Sequence, residues 1–133
     1  MILLDTNVIS EPLKLSADAG VLSWIDAQSI DTLYLSAISL AELRFGIAAL
    51  PTGKRKETLH LGLEQRILPF DASASQAYAE ILTTARAQGR AISTADGYIA
   101  ATAKRHGLMV ATRDASPFEA AGLTVINPWT VQH

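Results

Sequence analysis

Two aspartates stand just beyond apolar runs that are typical of buried strands. Asp5 follows Ile2–Leu4, and Asp114 comes shortly after the run Leu108–Thr112. Short, continuous apolar runs are characteristic of strands inside a parallel sheet that is covered on both faces. Active sites in such sheets lie beyond the carboxyl ends of the strands. We therefore expect the Asp5 and Asp114 carboxylates to lie at the same edge of one sheet.

Two further acids belong to helices that should begin at that edge. Glu42 lies early in the segment Ile38–Leu50, and Asp96 lies in the first turn of a helix predicted from about Thr94. A helix that covers a parallel sheet runs antiparallel to the strands, so it begins beside their carboxyl ends. The sequence therefore predicts a site made of four carboxylates.

A site of four carboxylates requires a compensating positive charge. Ionised carboxylates within about 4–6 Å repel one another, and one of them takes up a proton unless a cation binds. Oxygen ligands without cysteine or histidine suit Mg²⁺ or Mn²⁺ rather than zinc or copper. The histidines do not join this group, since they stand in a helix, at a basic helix end and at the tail: His60, His106 and His133. Acidic metal sites of this kind serve phosphodiester hydrolysis or phosphoryl transfer.

Two of the acids also have an ordinary structural explanation. Asp5 is a suitable turn or helix cap, and Ser93 with Asp96 has the spacing of a capping box. A carboxylate in the first turn of a helix is also favoured by the helix dipole. Neither residue alone would indicate a catalytic site.

The other two acids are harder to explain structurally. Glu42 lies on a helix that is apolar nearly all round, so we expect a buried carboxylate that is either paired, for example with Arg44, or bound to a metal. Asp114 has no evident structural duty, because Ser116 is the expected N-cap of the next short helix. The coincidence of all four acids favours a site.

Strands and helices alternate along the chain. Strands are predicted at Ile2–Leu4, Leu33–Ser36, Arg66–Phe70, Leu108–Thr112 and Leu123–Asn127, with Pro69 placing the third at a strand end or a sheet edge. Helices are predicted at Val21–Ala27, Ile38–Leu50 and Thr52–Gln65, in the segment before Gly89, and from about Thr94 to Gly107. The alternation predicts a single α/β domain over residues 1–133, with a central parallel sheet of four to five strands and helices on both faces.

Composition narrows the class of protein further. The 133 residues include no cysteine, which excludes a disulfide framework and thiolate metal sites. No apolar run approaches the roughly 20 residues of a membrane span, and no signal-peptide pattern is present. The net charge of −2 does not indicate a nucleic-acid binder, although an acidic site can coexist with a basic rim. We expect a soluble, cytoplasmic protein with no membrane partner.

Four segments carry a family resemblance: LLDTNVIS, SAISLAELRFGI, STADGYIAATAKRHG and VATRDASPF. In their order and spacing the chain resembles PIN-domain proteins from Met1 to about Trp129. Within that family it is most similar to the VapC-type, FitB-like ribonuclease toxins of type II toxin–antitoxin systems. The acidic positions of the family fall on the four acids already selected, and the fourth is Asn in many relatives: Asp5, Glu42, Asp96 and Asp114.

The resemblance implies a three-layer PIN-like fold and a Mg²⁺- or Mn²⁺-dependent endoribonuclease. The three aspartates would be the main metal ligands. Glu42 would hold, or help to deprotonate, the water that attacks phosphorus in line.

Side chains beside the acids are candidates for orienting them or for binding the substrate. Thr6 and Asn7 stand next to Asp5, and Thr112 stands close to Asp114, where hydrogen bonds to the carboxylates are possible. Turn and strand-end roles are the alternative for these three. Arg113 is the cation best placed to contact a scissile phosphate or a partner protein.

Two basic clusters differ in their relation to the helix dipole. Lys54–Lys56 open their predicted helix, where cations are unfavourable, which favours a phosphate-binding role. Lys104–His106 end their helix, where cations are favourable, so a structural role is preferred.

The resemblance also implies partners. Besides an RNA substrate, it implies a cognate antitoxin whose C-terminal segment occupies the nuclease groove and whose N-terminal part binds DNA. Operator DNA would then be reached only through the antitoxin. A homodimer or a higher hetero-oligomer is expected.

Other functions fit the sequence less well. A haloacid-dehalogenase-type phosphatase needs a second Asp two residues after the first, where this chain has Asn7. A receiver domain needs paired acids after its first strand. The remaining alternative is a catalytically silent PIN-like module that binds a partner protein or contributes to DNA-bound repression.

Overall fold

The structure is a computed structural model that describes residues 1–49 and 66–131. Five parallel strands form one sheet in the order β3-β2-β1-β4-β5: β1 (Ile2–Leu4), β2 (Leu33–Ser36), β3 (Ile67–Leu68), β4 (Met109–Ala111) and β5 (Val125–Ile126). The described helices are α1 (Thr6–Ser10), α2 (Ala19–Ala27), α3 (Ala37–Ala48), α4 (Ala72–Ala87), α5 (Thr94–Arg105) and α6 (Ser116–Ala120). The predicted α/β class with a parallel sheet is confirmed.

Part of the prediction lies outside the described residues. The helix expected at Thr52–Gln65, with Lys54–Lys56 and His60, falls between residues 49 and 66, and His133 also lies outside. None of the described helices is long and apolar enough to cross a membrane.

Strand β1 is the centre of the sheet. Leu4 is in register with Leu35 of β2 on one side and with Ala111 of β4 on the other. The residues that follow these three positions, Asp5, Ser36 and Thr112, therefore lie side by side at the carboxyl edge of the sheet. Strand β3 lies at the sheet edge and ends just before Pro69, which confirms the placement predicted from that proline.

Alternate residues of β1 enter two separate cores. Ile2 and Leu4 belong to a buried cluster with side chains of α1, α2 and α3, among them Val8, Trp24, Leu43 and Ile47. Leu3 points to the other face and belongs to a cluster with Ala77, Ile81, Ile99 and Phe118 of α4, α5 and α6. Helices therefore cover both faces of the sheet, which makes three layers.

Two helices end where the sequence indicated. Gly89 and Gly107 have φ angles of 70° and 67°, a left-handed conformation that glycine adopts without steric cost. The N–H of the residue after each glycine bonds back into the last turn, from Arg90 to the Ala85 carbonyl and from Leu108 to the Ala103 carbonyl. This hydrogen bond is typical of a glycine C-cap.

Helix α3 is apolar nearly all round in sequence, but only one face of it is buried. Its buried stripe consists of Ser39, Leu43 and Ile47, spaced four residues apart along one face. Phe45 lies on the opposite side and is 79% exposed. The helix covers the sheet with one face only, so apolar residues elsewhere on its circumference remain at the surface.

Candidate active site

Asp5 is buried at the junction of β1 and α1. Its side chain is only 6% exposed, and it is the N-cap of α1. Oδ1 accepts a hydrogen bond from the Thr6 N–H at 2.8 Å, and Oδ2 accepts one from Thr112 Oγ1 at 2.8 Å. Asp5 therefore caps α1, as the sequence suggested, through Oδ1 alone. Its other oxygen, Oδ2, bonds to Thr112 at the end of β4.

The surroundings of Asp5 favour its protonated form. Burial is the largest influence and raises the pKa of the carboxyl above its usual value of 3.8. The hydrogen bonds from Thr112 and Thr6 lower the pKa, while the negative charges of Asp96 and Glu42 raise it further. The net effect is a raised pKa of the Asp5 carboxyl.

Glu42 reaches the site through a threonine. The Thr6 hydroxyl lies 2.7 Å from Glu42 Oε1 and 3.0 Å from the Ser39 hydroxyl, which connects α1 to the first turns of α3. The expectation of a buried Glu42 is wrong, because the side chain is exposed on the rim of the sheet edge. In the described part of the chain no salt bridge joins it to Arg44.

A hydrogen-bonded network links the end of β1 to the end of β4. Thr112 is fully buried; besides donating to Asp5, its hydroxyl oxygen accepts the Asp114 N–H at 3.1 Å. Asn7 Nδ2 lies 3.5 Å from Asp5 Oδ2 and 3.4 Å from Thr112 Oγ1. Asn7 Oδ1 accepts the Arg113 N–H at 3.2 Å. These side chains hold the loop after β4 against the start of α1.

Asp114 is tied to this network through its backbone. Its side chain is exposed, and its charge is not among the influences on the pKa of Asp5. The prediction that Ser116 is the N-cap of the next helix is wrong. Ser116 is the first residue of α6, Ala115 occupies the cap position, and no side chain caps this end; Pro117 lies in the first turn, where its missing N–H costs nothing.

Asp96 lies in the first turn of α5, as predicted. The Ser93 hydroxyl accepts the Asp96 N–H at 3.2 Å and so caps the helix. The Asp96 carboxylate is partly exposed, and its charge raises the pKa of Asp5. The negative charges of Asp96 and Glu42 therefore both act on the Asp5 carboxyl.

The chemistry of the donor set fits a divalent cation. The acids around Asp5 supply only oxygen, the ligand type that Mg²⁺ and Mn²⁺ prefer. In residues 1–49 and 66–131 no three His, Cys, Asp or Glu side chains are already grouped closely enough to hold a metal ion. A bound cation would draw carboxylates together that otherwise keep apart.

Two residues near the site, Ser39 and Asn127, were not identified as site residues from the sequence. Ser39 is fully buried beneath the Thr6–Glu42 contact. Asn127 accepts the Trp129 N–H at 2.9 Å and donates to the Arg113 carbonyl at 3.4 Å. The spacing of Ser39 and Glu42, three residues apart on one helix, is a signal that could have identified the first. The second depends on a contact between distant loops.

Known proteins resemble this chain over its full length. The VapC ribonuclease Y4jK of Sinorhizobium fredii is 60% identical, with 97% of this chain and 98% of that protein covered. The toxin FitB of Neisseria gonorrhoeae is 53% identical, with 97% and 99% covered.

Solved structures show the same similarity in three dimensions. The crystal structure of FitAcB from Neisseria gonorrhoeae contains a chain that superposes with a TM-score of 0.90 at 50% identity, covering 98% of this chain and 100% of that one. A structure of FitAB bound to an IR36 DNA fragment gives 0.89 at 50% identity, covering 100% and 99%. The family model for the PIN domain matches residues 2–123. The chain belongs to the PIN domain family.

Proposed function

We propose that this protein is a Mg²⁺- or Mn²⁺-dependent endoribonuclease that acts as the toxin of a toxin–antitoxin pair. Two relatives more than half identical to it are named as a VapC ribonuclease and as the toxin FitB. The proposal extends these activities to this chain because the four acids are present and the charges of Asp96 and Glu42 act on Asp5.

One observation carries the proposal. Asp5 is a buried carboxyl group whose pKa is raised by burial and, in addition, by the charges of Asp96 and Glu42. In the described ranges, 1–49 and 66–131, no Lys or Arg forms a salt bridge with any of these three acids. A purely structural role would favour a paired carboxylate. Negative charges that act on one another without a paired cation are suited to binding a metal ion.

We assign the residues the roles that the family resemblance implies. Asp5, Asp96 and Asp114 would hold the metal, which when bound supplies a positive charge for the phosphate and acidifies water. Glu42, at the exposed rim and hydrogen-bonded to Thr6, would accept a proton from the attacking water. Thr112, Thr6 and Asn7 orient the Asp5 carboxylate through hydrogen bonds to it or to its neighbours.

We propose an antitoxin as the protein partner and operator DNA as a ligand reached only through it. The structures similar to this chain are complexes named FitAcB and FitAB, the latter bound to a DNA fragment. A homodimer or higher hetero-oligomer belongs to the same proposal.

The test is cleavage of a panel of RNAs by wild type and Asp5→Asn, with Mg²⁺, with Mn²⁺ and with a chelator. Asparagine remains a good N-cap, so this substitution removes the charge and keeps the cap of α1. Asp71→Asn is the matched control, because Asp71 is the N-cap of α4 and accepts the Ala74 N–H at 2.9 Å.

We expect metal-dependent cleavage by wild type and by Asp71→Asn, and a loss of about a hundredfold or more in Asp5→Asn, the scale for removing one electrostatic contact to a transition state. Cleavage that persists in Asp5→Asn would contradict the proposed site. Absence of cleavage by the folded wild type across the panel would favour the silent binding module instead.

A further inference from the structure

We infer that Trp129 and Asn127 position the Arg113 guanidinium beside the acidic edge, where it binds a phosphate of the RNA. The inference rests on the proposed ribonuclease function and adds a positioning device to it. Both residues, Trp129 and Asn127, lie near the end of the described chain.

The first support is the side chain of Arg113. Its guanidinium carbon lies 5.1 Å from the centroid of the Trp129 ring, within the range of a cation–π contact. In the described part of the chain it donates no side-chain hydrogen bond, and its residue is exposed. An arginine stacked on an aromatic face keeps its N–H donors at the edge, where they suit phosphate oxygens.

The second support is the way its backbone is fixed on both sides. Asn7 Oδ1 accepts the Arg113 N–H at 3.2 Å, and Asn127 Nδ2 donates to the Arg113 carbonyl at 3.4 Å. The same Asn127 accepts the Trp129 N–H through Oδ1 at 2.9 Å. One side chain therefore joins the backbone of the arginine to the backbone of the tryptophan on which it stacks. Trp129 is itself partly buried against the core beneath the sheet.

The third support is the local charge. Arg113 lies between Thr112, which bonds to Asp5, and Asp114, so its backbone lies at the acidic edge. An RNA backbone approaching an acidic edge meets repulsion, and a fixed cation there offsets it. Glu11 is buried nearby; hydrogen bonds from Lys14 and the Asp18 N–H lower its pKa, and the charge of Arg113 adds to this.

The test measures RNA binding without cleavage. Asp5→Asn serves as parent, and the probe is a short fluorescein-labelled single-stranded RNA whose dissociation constant is followed over a series of salt concentrations. Arg113→Ala, Arg113→Lys and Trp129→Phe are added to the parent. Arg105→Ala is the control, because Arg105 ends α5 at the opposite edge of the sheet. This substitution removes the same charge as Arg113→Ala.

We expect Arg113→Ala to weaken binding about tenfold at low salt and to reduce the salt slope by about 0.7, the share of one phosphate contact on a single strand. Arg113→Lys should retain the slope but bind more weakly, because lysine loses the planar stacking. Trp129→Phe should weaken binding less than Arg113→Ala, and the two effects should not add, since both act through one guanidinium.

A salt slope in Arg113→Ala equal to that of the parent would overturn the inference, as would an equal loss in Arg105→Ala. No RNA binding by the parent would also overturn it. Unchanged RNA binding combined with lost binding of the co-purified partner protein would assign Arg113 to a protein interface and overturn it as well. Cleavage by wild type is scored separately, so each of these outcomes can occur with the ribonuclease function intact.

Discussion

The Asp5 carboxyl group stands in an environment that favours its protonated form, and this has a consequence for stability. Burial, the largest influence, raises its pKa above the usual 3.8. Between the usual and the raised value the folded protein binds more protons than the unfolded chain, so the free energy of unfolding falls as pH rises through that interval. Asp5→Asn lacks this dependence.

We therefore expect metal-free wild type to lose stability relative to Asp5→Asn as the pH is raised from below 3.8. Urea denaturation of both proteins with a chelator, at a series of pH values, measures the difference. Asp71→Asn, a substitution at another N-cap, controls for the change of cap. A difference that does not vary with pH would contradict the raised pKa.

Thr112 is the side chain on which the Asp5 carboxylate most depends. Its hydroxyl donates to Asp5 and accepts the Asp114 N–H, and it is fully buried. Thr112→Val keeps the shape and leaves both partners without that bond, so we expect a loss of about 1–3 kcal/mol in unfolding free energy at neutral pH. Thr112→Ser restores the hydroxyl and should recover most of the stability and the cleavage rate. A loss in Thr112→Ser as large as that in Thr112→Val would contradict the assignment of the stabilisation to the hydroxyl alone, because serine keeps the hydroxyl and lacks only the methyl group.

The packing of α4 against α5 depends on a single glycine. A Cβ at Gly97 would lie 2.8 Å from Tyr78 Cε2 and 3.0 Å from Leu82 Cδ1, both on α4. We expect Gly97→Ala to cost about 1–3 kcal/mol by overpacking, although alanine is the better helix former. It also displaces the helix that carries Asp96, so cleavage should fall as well.

Gly46 provides the matched control for this prediction. It lies within α3, and a Cβ there would meet nothing within 4 Å. Gly46→Ala should therefore be neutral or stabilising by about 0.5–1 kcal/mol. Thermal denaturation of both variants measures the two changes in stability. Equal changes at Gly97 and Gly46 would contradict the predicted overpacking at Gly97.

The elements differ in how far their sequence determined them. The strands and the long helices were predicted because buried parallel strands and capped helices have local signatures. Helix α1 was not predicted, since its five residues carry no periodic pattern and its cap is also the candidate metal ligand. The orientation of α3 was misjudged because two of its residues depart from the usual pattern of burial. Ser39 is buried, whereas Phe45 is exposed at the surface.

For the molecule as a whole, the uncompensated acids predict that metal binding and folding are coupled. A ligand that binds only the folded state stabilises it by about 2.7 kcal/mol at a hundredfold excess over its dissociation constant. We expect Mg²⁺ or Mn²⁺ to raise the melting temperature of wild type and of Asp71→Asn by several degrees, and to leave Asp5→Asn nearly unchanged. An equal rise in all three proteins would show binding elsewhere.

The site was predictable to the extent that sheet geometry alone determines it. Strand ends of a parallel sheet share an edge, which is why Asp5 and Asp114 were expected at the same edge, with Thr112 beside Asp114. The Thr6–Glu42 contact and the bond from the Arg113 N–H to Asn7 depend on the short α1 and on loop paths, which have no periodic signal. Exposure of Glu42 likewise depends on how α3 is rotated.

Strand β1 precedes β4 in the chain, so the site at their shared edge forms only after β4 has paired. The bond between Thr112 and Asp5 joins residues 107 positions apart, and β4 closes one side of β1. Until β4 pairs with β1, Asp5 lacks the hydroxyl that bonds to Oδ2 in the folded protein. For the proposed ribonuclease we therefore expect activity to depend on a pairing of high sequence separation, a kind of contact that forms slowly.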